Sequence, residues 1–191
     1  MKVFFSTSRR GREYFEENYN KIFKFIKDEG YENINNELIE KDNDQFYEEL
    51  KKSGPKAYGV LYNKLLDGVK HADICIFECS LQSLTMGFLI QKALELSKPV
   101  IALYLEDHRP DLLAGIKEEK FQLIEYSPTN LSDKLLESIK NAKLLADKRF
   151  NFFINPTLLN YLYKASKEQG ITKSTFIRYL ILEHMKKNSL K

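Results

Sequence analysis

Ala72-Asp73-Ile74-Cys75-Ile76-Phe77-Glu78 decides the fold. The run is almost continuously apolar, with little alternation between inward and outward side chains, and such a run marks a strand buried on both faces. Downstream, a helical run spans about Leu84 to Leu96, Lys98-Pro99 ends it, and a second apolar run fills Val100 to Leu105. A weaker strand is expected at Phe121 to Tyr126 and a helix from about Asn130 to Ala146. Upstream, a helix is expected from about Ala57 to Val69. The acidic stretch Asn35 to Glu49 reads as loop with at most a short helix, and Tyr31 to Ile34 as a short strand. Between Arg12 and Glu29, Tyr14, Phe15, Tyr19, Ile22, Phe23 and Ile26 recur at helical spacing on one face, and Gly30 ends that helix. Lys2 to Phe5 is the first strand, followed by the polar turn Ser6-Thr7-Ser8-Arg9-Arg10-Gly11. Strands separated by helices predict an α/β domain, a parallel sheet with helices on both faces. Ligands of such sheets bind beyond the carboxyl ends of the strands, where the strand order switches.

That rule brings the loops 6–11 and 79–87 to one candidate pocket. Ser6, Thr7, Arg9 and Arg10 precede a helix, so hydroxyl, backbone N–H and guanidinium groups can converge where the helix dipole favours an anion. Ser80 and Ser83 are expected opposite. An N-capping turn with solvated arginines explains the same spacing. Glu78, at the end of a buried strand, is the fallback position for a catalytic acid. The bland alternative is that Asp73 caps a turn and Glu78 accepts from backbone N–H groups in a neighbouring loop. His71, His108 and His184 are scattered and give no support to a metal site. Cys75 and Cys79 lie four apart within the apolar run, without the spacing of a metal or redox pair, and read as reduced core residues. No cofactor is implied.

Phe4-Phe5-Ser6-Thr7-Ser8-Arg9-Arg10-Gly11-Arg12-Glu13, taken with Asp73 to Phe88, resembles the nucleoside 2-deoxyribosyltransferase family, nearest its 2′-deoxynucleoside 5′-monophosphate N-glycosidase branch, over roughly residues 1–126. The resemblance implies a flavodoxin-like fold, a nucleotide pocket completed by a dimer partner, and two carboxylates that break the glycosidic bond, a division of labour like that of glycosidases. It places Arg9, Ser83 and Gly87 at positions for phosphate or close backbone approach. It places the two carboxylates at Leu65 and Leu89, and leucine can neither attack an anomeric centre nor accept a proton. It also puts Ser6 and Arg10 where the family has glycines. The expectation is a more apolar pocket that binds without catalysing.

The chain has 191 residues, of which 43% are hydrophobic and 30% charged, and its net charge is +3. This composition excludes collagen-like, disulfide-stapled and disordered classes. No stretch is apolar enough to span a membrane, and MKVFFSTSRRGRE turns polar too early for a signal peptide, so a cytoplasmic protein is expected. The charge is unevenly spread: residues 148–191 carry nine Lys or Arg against Glu168 and Glu183, net +7, and the first 147 residues carry net −4. Two modules are expected, 1–146 and 147–191.

The tail reads Arg149-Phe150-Asn151-Phe152-Phe153-Ile154-Asn155-Pro156, a short strand closed by an N-cap and a proline suited to the first helical position. Leu158, Leu159, Leu162 and Ala165 then form one helical stripe, Gly170 stops it, and Thr172 can cap a second helix carrying Phe176, Ile177, Leu180 and Ile181. So small a unit cannot bury these faces alone and should pair with a second copy. With Gly170 to Arg178 as its most telling part, the stretch 149–187 resembles a ribbon-helix-helix module of Arc- and CopG-like repressors. The resemblance implies an antiparallel two-chain ribbon in the DNA major groove. Arg149, Asn151 and Phe153 would face outward to the bases, and Lys173 and Ser174 would hold a phosphate. An outward Phe153 fits packing on protein equally well.

The leading expectation is a homodimeric regulator: a degenerate deoxyribosyltransferase-like domain that binds a nucleotide or related small molecule, coupled to a DNA-binding ribbon-helix-helix module. The rival is an active deoxyribosyltransferase or deoxynucleotide N-glycosidase with a relocated acid. An assembly module of a larger system is the third class.

Overall fold

The structure, a computed structural model, describes residues 1–146 and 152–188. The chain divides into two compact units, Met1–Asp147 and Lys148–Lys191. The first unit runs β1 (Lys2–Thr7), a 3-10 turn at Arg9–Gly11, α1 (Arg12–Asp28), β2 (Glu32–Asn33), α2 (Glu37–Glu40), α3 (Asn43–Ser53) and α4 (Lys56–His71). It continues through β3 (Ile74–Glu78), α5 (Leu84–Glu95), β4 (Val100–Leu105), a 3-10 turn at Leu113–Gly115, β5 (Phe121–Tyr126) and α6 (Leu131–Leu145). The five strands form one sheet in the order β2-β1-β3-β4-β5, and every pair is parallel. This is the doubly wound order in which the chain switches direction between β1 and β3.

Side chains alternate across the sheet and build two apolar layers. Val3, Phe5, Ile74, Ile76, Ile101 and Leu103 meet Ile22 and Ile26 of α1 and Leu135 and Ile139 of α6. Phe4, Cys75, Phe77, Val100 and Ala102 meet Val69 of α4 and Leu89, Ile90 and Ala93 of α5. Both layers need apolar strand residues, which is why β3 and β4 read as unbroken runs. Gly68 of α4 lies against Phe4, and a Cβ there would stand 2.7 Å from the ring, so this close helix-to-sheet approach requires glycine. Cys75 and Cys79 are buried free thiols, and burial pushes Cys75 up to about 12.

Three differences from the sequence reading matter. The segment expected as loop at 35–49 folds into α2 and α3, and Asp42 caps α3 by accepting from the Gln45 N–H at 2.8 Å. Asp73 does not cap a turn: its Oδ2 accepts from the Lys2 N–H at 2.7 Å and ties the start of β1 to the chain entering β3. Of the expected strand Arg149–Asn155, residues 149–151 lie outside the described residues, and 152–155 carry no strand. A two-chain ribbon has its partner on a second copy, and this structure is of one chain.

The second unit contains α7 (Pro156–Glu168) and α8 (Lys173–Asn188), packed on each other. Asn155 Oδ1 accepts from the Leu158 N–H at 2.9 Å, and Pro156 opens α7. Gly170 takes the left-handed conformation, φ +65°, that ends it. Thr172 Oγ1 accepts from the Thr175 N–H at 3.1 Å and caps α8. Among the described residues of this unit only Leu162, Ser166 and Phe176 are buried, while Leu158, Tyr161, Tyr179, Ile181 and Met185 stay exposed.

Candidate functional site

Beyond the carboxyl ends of β1 and β3 lies a cavity of about 350 Å³. Its floor is the end of β1, where Ser6, Thr7 and Ser8 are buried despite their polarity. Arg9 and Arg10 continue the rim, and Ser83, Leu84, Thr85 and Met86 bring the start of α5 to it. Ser83 is the N-cap residue of α5, yet its hydroxyl makes no capping bond, so it stays available beside a helix N-terminus. The remaining wall comes from α4, with Tyr58, Leu61, Lys64 and Leu65, and from 35–53, with Asn35, Glu37, Phe46, Tyr47 and Leu50. One half of the cavity is thus aromatic and aliphatic, and the other carries hydroxyls and charge.

Of the residues proposed from sequence, Ser6, Thr7, Arg9, Arg10 and Ser83 line the cavity. Ser80 and Gly87 are not among its lining residues. The Ser80 hydroxyl donates to Glu78 Oε1 and accepts from the Leu105 N–H at 2.8 Å, which draws it into the protein. A Cβ at Gly87 would meet nothing within 4 Å. Leu65 is a wall residue, but Leu89 is 1% exposed and belongs to the apolar layer under α5. The pocket therefore owes apolar character to Leu65 and none to Leu89, which corrects the expectation that both leucines face it. Arg149 and Asn151 lie outside the described residues; Phe153 is fully exposed, and Lys173 and Ser174 begin α8.

Glu78 does not line the cavity either. It is completely buried, and its Oε1 accepts from the Tyr126 hydroxyl at 2.9 Å, from the Ser80 hydroxyl and from the Ser80 N–H at 3.4 Å. Its Oε2 is buried without a hydrogen-bond partner. Burial raises the carboxyl from its ordinary 4.5 to about 7, against the opposing pull of the Ser80 and Tyr126 bonds. Tyr19 and Tyr126 are raised in turn, first by burial and then by the neighbouring Glu78 charge.

The carboxylate that lines the cavity is Glu37, which the sequence reading missed. Its Oε2 pairs with Lys64 Nζ at 2.7 Å, and that bond holds the carboxyl below its usual range. Arg9 is also differently engaged from the expectation. Its Nη2 donates to the Glu37 carbonyl at 2.8 Å and its Nη1 to the Lys41 carbonyl at 3.1 Å, and the guanidinium lies 3.7 Å from the centre of the Phe46 ring. Burial, and then the nearby Arg12 charge, lower its pKa. Arg10 is exposed and forms no hydrogen bond or ion pair with the described residues. Among the described residues no group of three or more His, Cys, Asp or Glu side chains could hold a metal ion, and no helix is long and apolar enough to cross a membrane.

The chain is similar to a curated protein of Thermofilum pendens described as "Putative 2′-deoxynucleoside 5′-phosphate N-hydrolase 1", at 28% identity over 142 residues, 73% of this chain and 94% of that protein. The likeness supports the deoxyribosyltransferase-like family. Among solved structures, the Clostridium botulinum CMP N-glycosidase BcmB aligns with a TM-score of 0.49 and 15% identity, over 73% of this chain and 99% of that one. No family model matches the chain.

Proposed function

We propose that the first unit binds a 2′-deoxynucleoside 5′-phosphate or a related small molecule without cleaving it. The observation that carries this reading is the pair of leucines at the positions where the resemblance puts carboxylates, Leu65 on the cavity wall and Leu89 in the core. The polar end of the cavity suits a phosphate and sugar, and Phe46, Tyr47 and Tyr58 suit a base. Calorimetric titration with 2′-deoxynucleoside 5′-monophosphates is expected to give saturable binding, with no free base released in the same mixtures. Base release that disappears in Glu78→Gln or Glu37→Gln would instead establish the rival enzyme with a relocated acid.

The second unit is proposed to be a ribbon-helix-helix module that pairs two chains and binds DNA, making the protein a ligand-responsive regulator. Support comes from its capped helix, glycine turn and capped helix, from its exposed apolar side chains and from the net +7 of residues 148–191. Fluorescence anisotropy with duplex DNA should show binding at about 50 mM salt that weakens roughly a thousandfold by 200 mM if about six phosphates are contacted. Absence of binding at the lower salt would leave pairing as the unit's role.

A further inference from the structure

Resting on the reading of the cavity as a nucleotide site, we propose that Arg9 is not its phosphate ligand but, together with Arg12, a positioning residue that latches the wall 37–53 over the strand ends, and that Arg10 is the cation left to meet an anionic group. The geometry is a two-arginine clamp on the end of a short helix. The carbonyls of Ile39 and of Lys41, the residue that caps α2, lie past the last helical N–H and need donors, while that of Glu37 already accepts from the Lys41 N–H at 3.3 Å and has a second lone pair to offer. Arg9 supplies them to Glu37 and Lys41, at 2.8 and 3.1 Å, with a longer contact to Asp42 at 3.5 Å. Arg12 supplies Ile39 at 3.1 Å and shares the Lys41 carbonyl, while Glu16 fixes its Nε at 2.7 Å. The wall answers: Asn43 Nδ2 donates to the Arg9 carbonyl at 3.0 Å, and Phe46 covers the Arg9 guanidinium. A planar five-donor guanidinium can satisfy several carbonyls and a ring face at once, which an ammonium cannot.

The function of this clamp follows from what the wall carries. Phe46, Tyr47 and Leu50 reach the cavity only because α3 is held there. For Arg9 to turn both terminal nitrogens on a phosphate it would have to release the Glu37 and Lys41 carbonyls and uncover Phe46. Its contribution to the ligand therefore passes through the aromatic side of the site and is blind to the phosphate. Arg12 makes the distinction testable, because it serves the same clamp without lining the cavity.

The experiment compares wild type, Arg9→Ala, Arg9→Lys, Arg12→Ala and Arg10→Ala by hydrogen–deuterium exchange and by calorimetric titration with four 2′-deoxynucleosides and their 5′-monophosphates. Both clamp losses should speed exchange of peptides within 37–53 by tenfold or more, the scale of losing one charge-assisted hydrogen bond, and leave β1, β3 and β4 unchanged. Arg9→Lys should not rescue. Nucleoside and monophosphate affinities should fall by the same factor in the Arg9 and Arg12 variants, whereas Arg10→Ala should reduce the monophosphate alone. Unchanged exchange across 37–53, or an Arg9 loss confined to the monophosphates with Arg12→Ala silent, overturns the proposal. If wild type binds neither ligand, the nucleotide reading fails by itself and the exchange data still decide the clamp.

Discussion

Leu89→Glu will unfold the first unit instead of restoring a catalytic carboxylate. Leu89 is 1% exposed, packed in the layer that includes Phe77, Ile90 and Ala93, and the cavity lies on other residues. A carboxylate placed there finds no cation, and an uncompensated buried charge costs about 3–5 kcal/mol. Natural domains hold only about 5–15 kcal/mol in reserve. A melt followed by circular dichroism at pH 8 should therefore drop by roughly 10 °C or more, or the variant should be recovered unfolded. Leu65→Glu is the control, because Leu65 lines the cavity next to Lys64 in the chain, and its melt should shift by only a few degrees. A Leu89→Glu protein that melts with wild type would mean that this side chain reaches the cavity after all.

The second large effect is a loss of stability as pH rises from 5 to 8. Glu78 titrates near 7 in the folded protein against 4.5 for the free side chain, so between those values the folded state holds the extra proton. Its stabilising contribution is fully present below about pH 4.5 and is lost as pH climbs through 7. At about 1.4 kcal/mol per unit, the difference amounts to roughly 3 kcal/mol. Glu37, held below its usual range, acts in the opposite sense and at lower pH, so it leaves this window to Glu78. Urea unfolding at pH 5 and pH 8 should show the decline, and Glu78→Gln should flatten it. An equal decline in Glu78→Gln would assign the effect to other groups.

β3 and β4 were readable because burial on both faces removes the need for alternation, and the partly buried edge strand β5 because it keeps an apolar run of its own. Val100–Leu105 and Phe121–Tyr126 occupy the residues expected of them. The wall at 37–53 was hidden by its own charge: Glu37, Glu40, Asp42, Asp44, Glu48 and Glu49 make the stretch look solvated, although Asp42 in the cap position and Phe46, Tyr47 and Leu50 on one face were the available signal. The site was legible as a place but only partly as a set of side chains. Spacing located Ser6, Thr7, Arg9, Arg10 and Ser83 at the strand ends. It could not tell which way a hydroxyl or an arginine turns, and so missed that Ser80 serves Glu78 and that Arg9 serves the carbonyls of α2. Linear resemblance likewise set Leu65 and Leu89 side by side, whereas the rotation of α5 sends Leu89 under the sheet-facing side of the helix. In the tail, Asn155, Pro156, Gly170 and Thr172 were sufficient for two helices, because caps and turns are local.

The placement of β1 sets a clock on synthesis. Its inner neighbour is β3, with Val3 beside Ile74, and the bond from Lys2 to Asp73 spans 71 positions. Translation at about 5–20 residues per second needs roughly 4–14 s to cover that distance. For that interval the apolar ribbon Val3-Phe4-Phe5 has emerged, or is emerging, with no strand to receive it on that side, so the period in which a nascent chain most needs shielding from its neighbours ends only when residues 74–78 leave the ribosome.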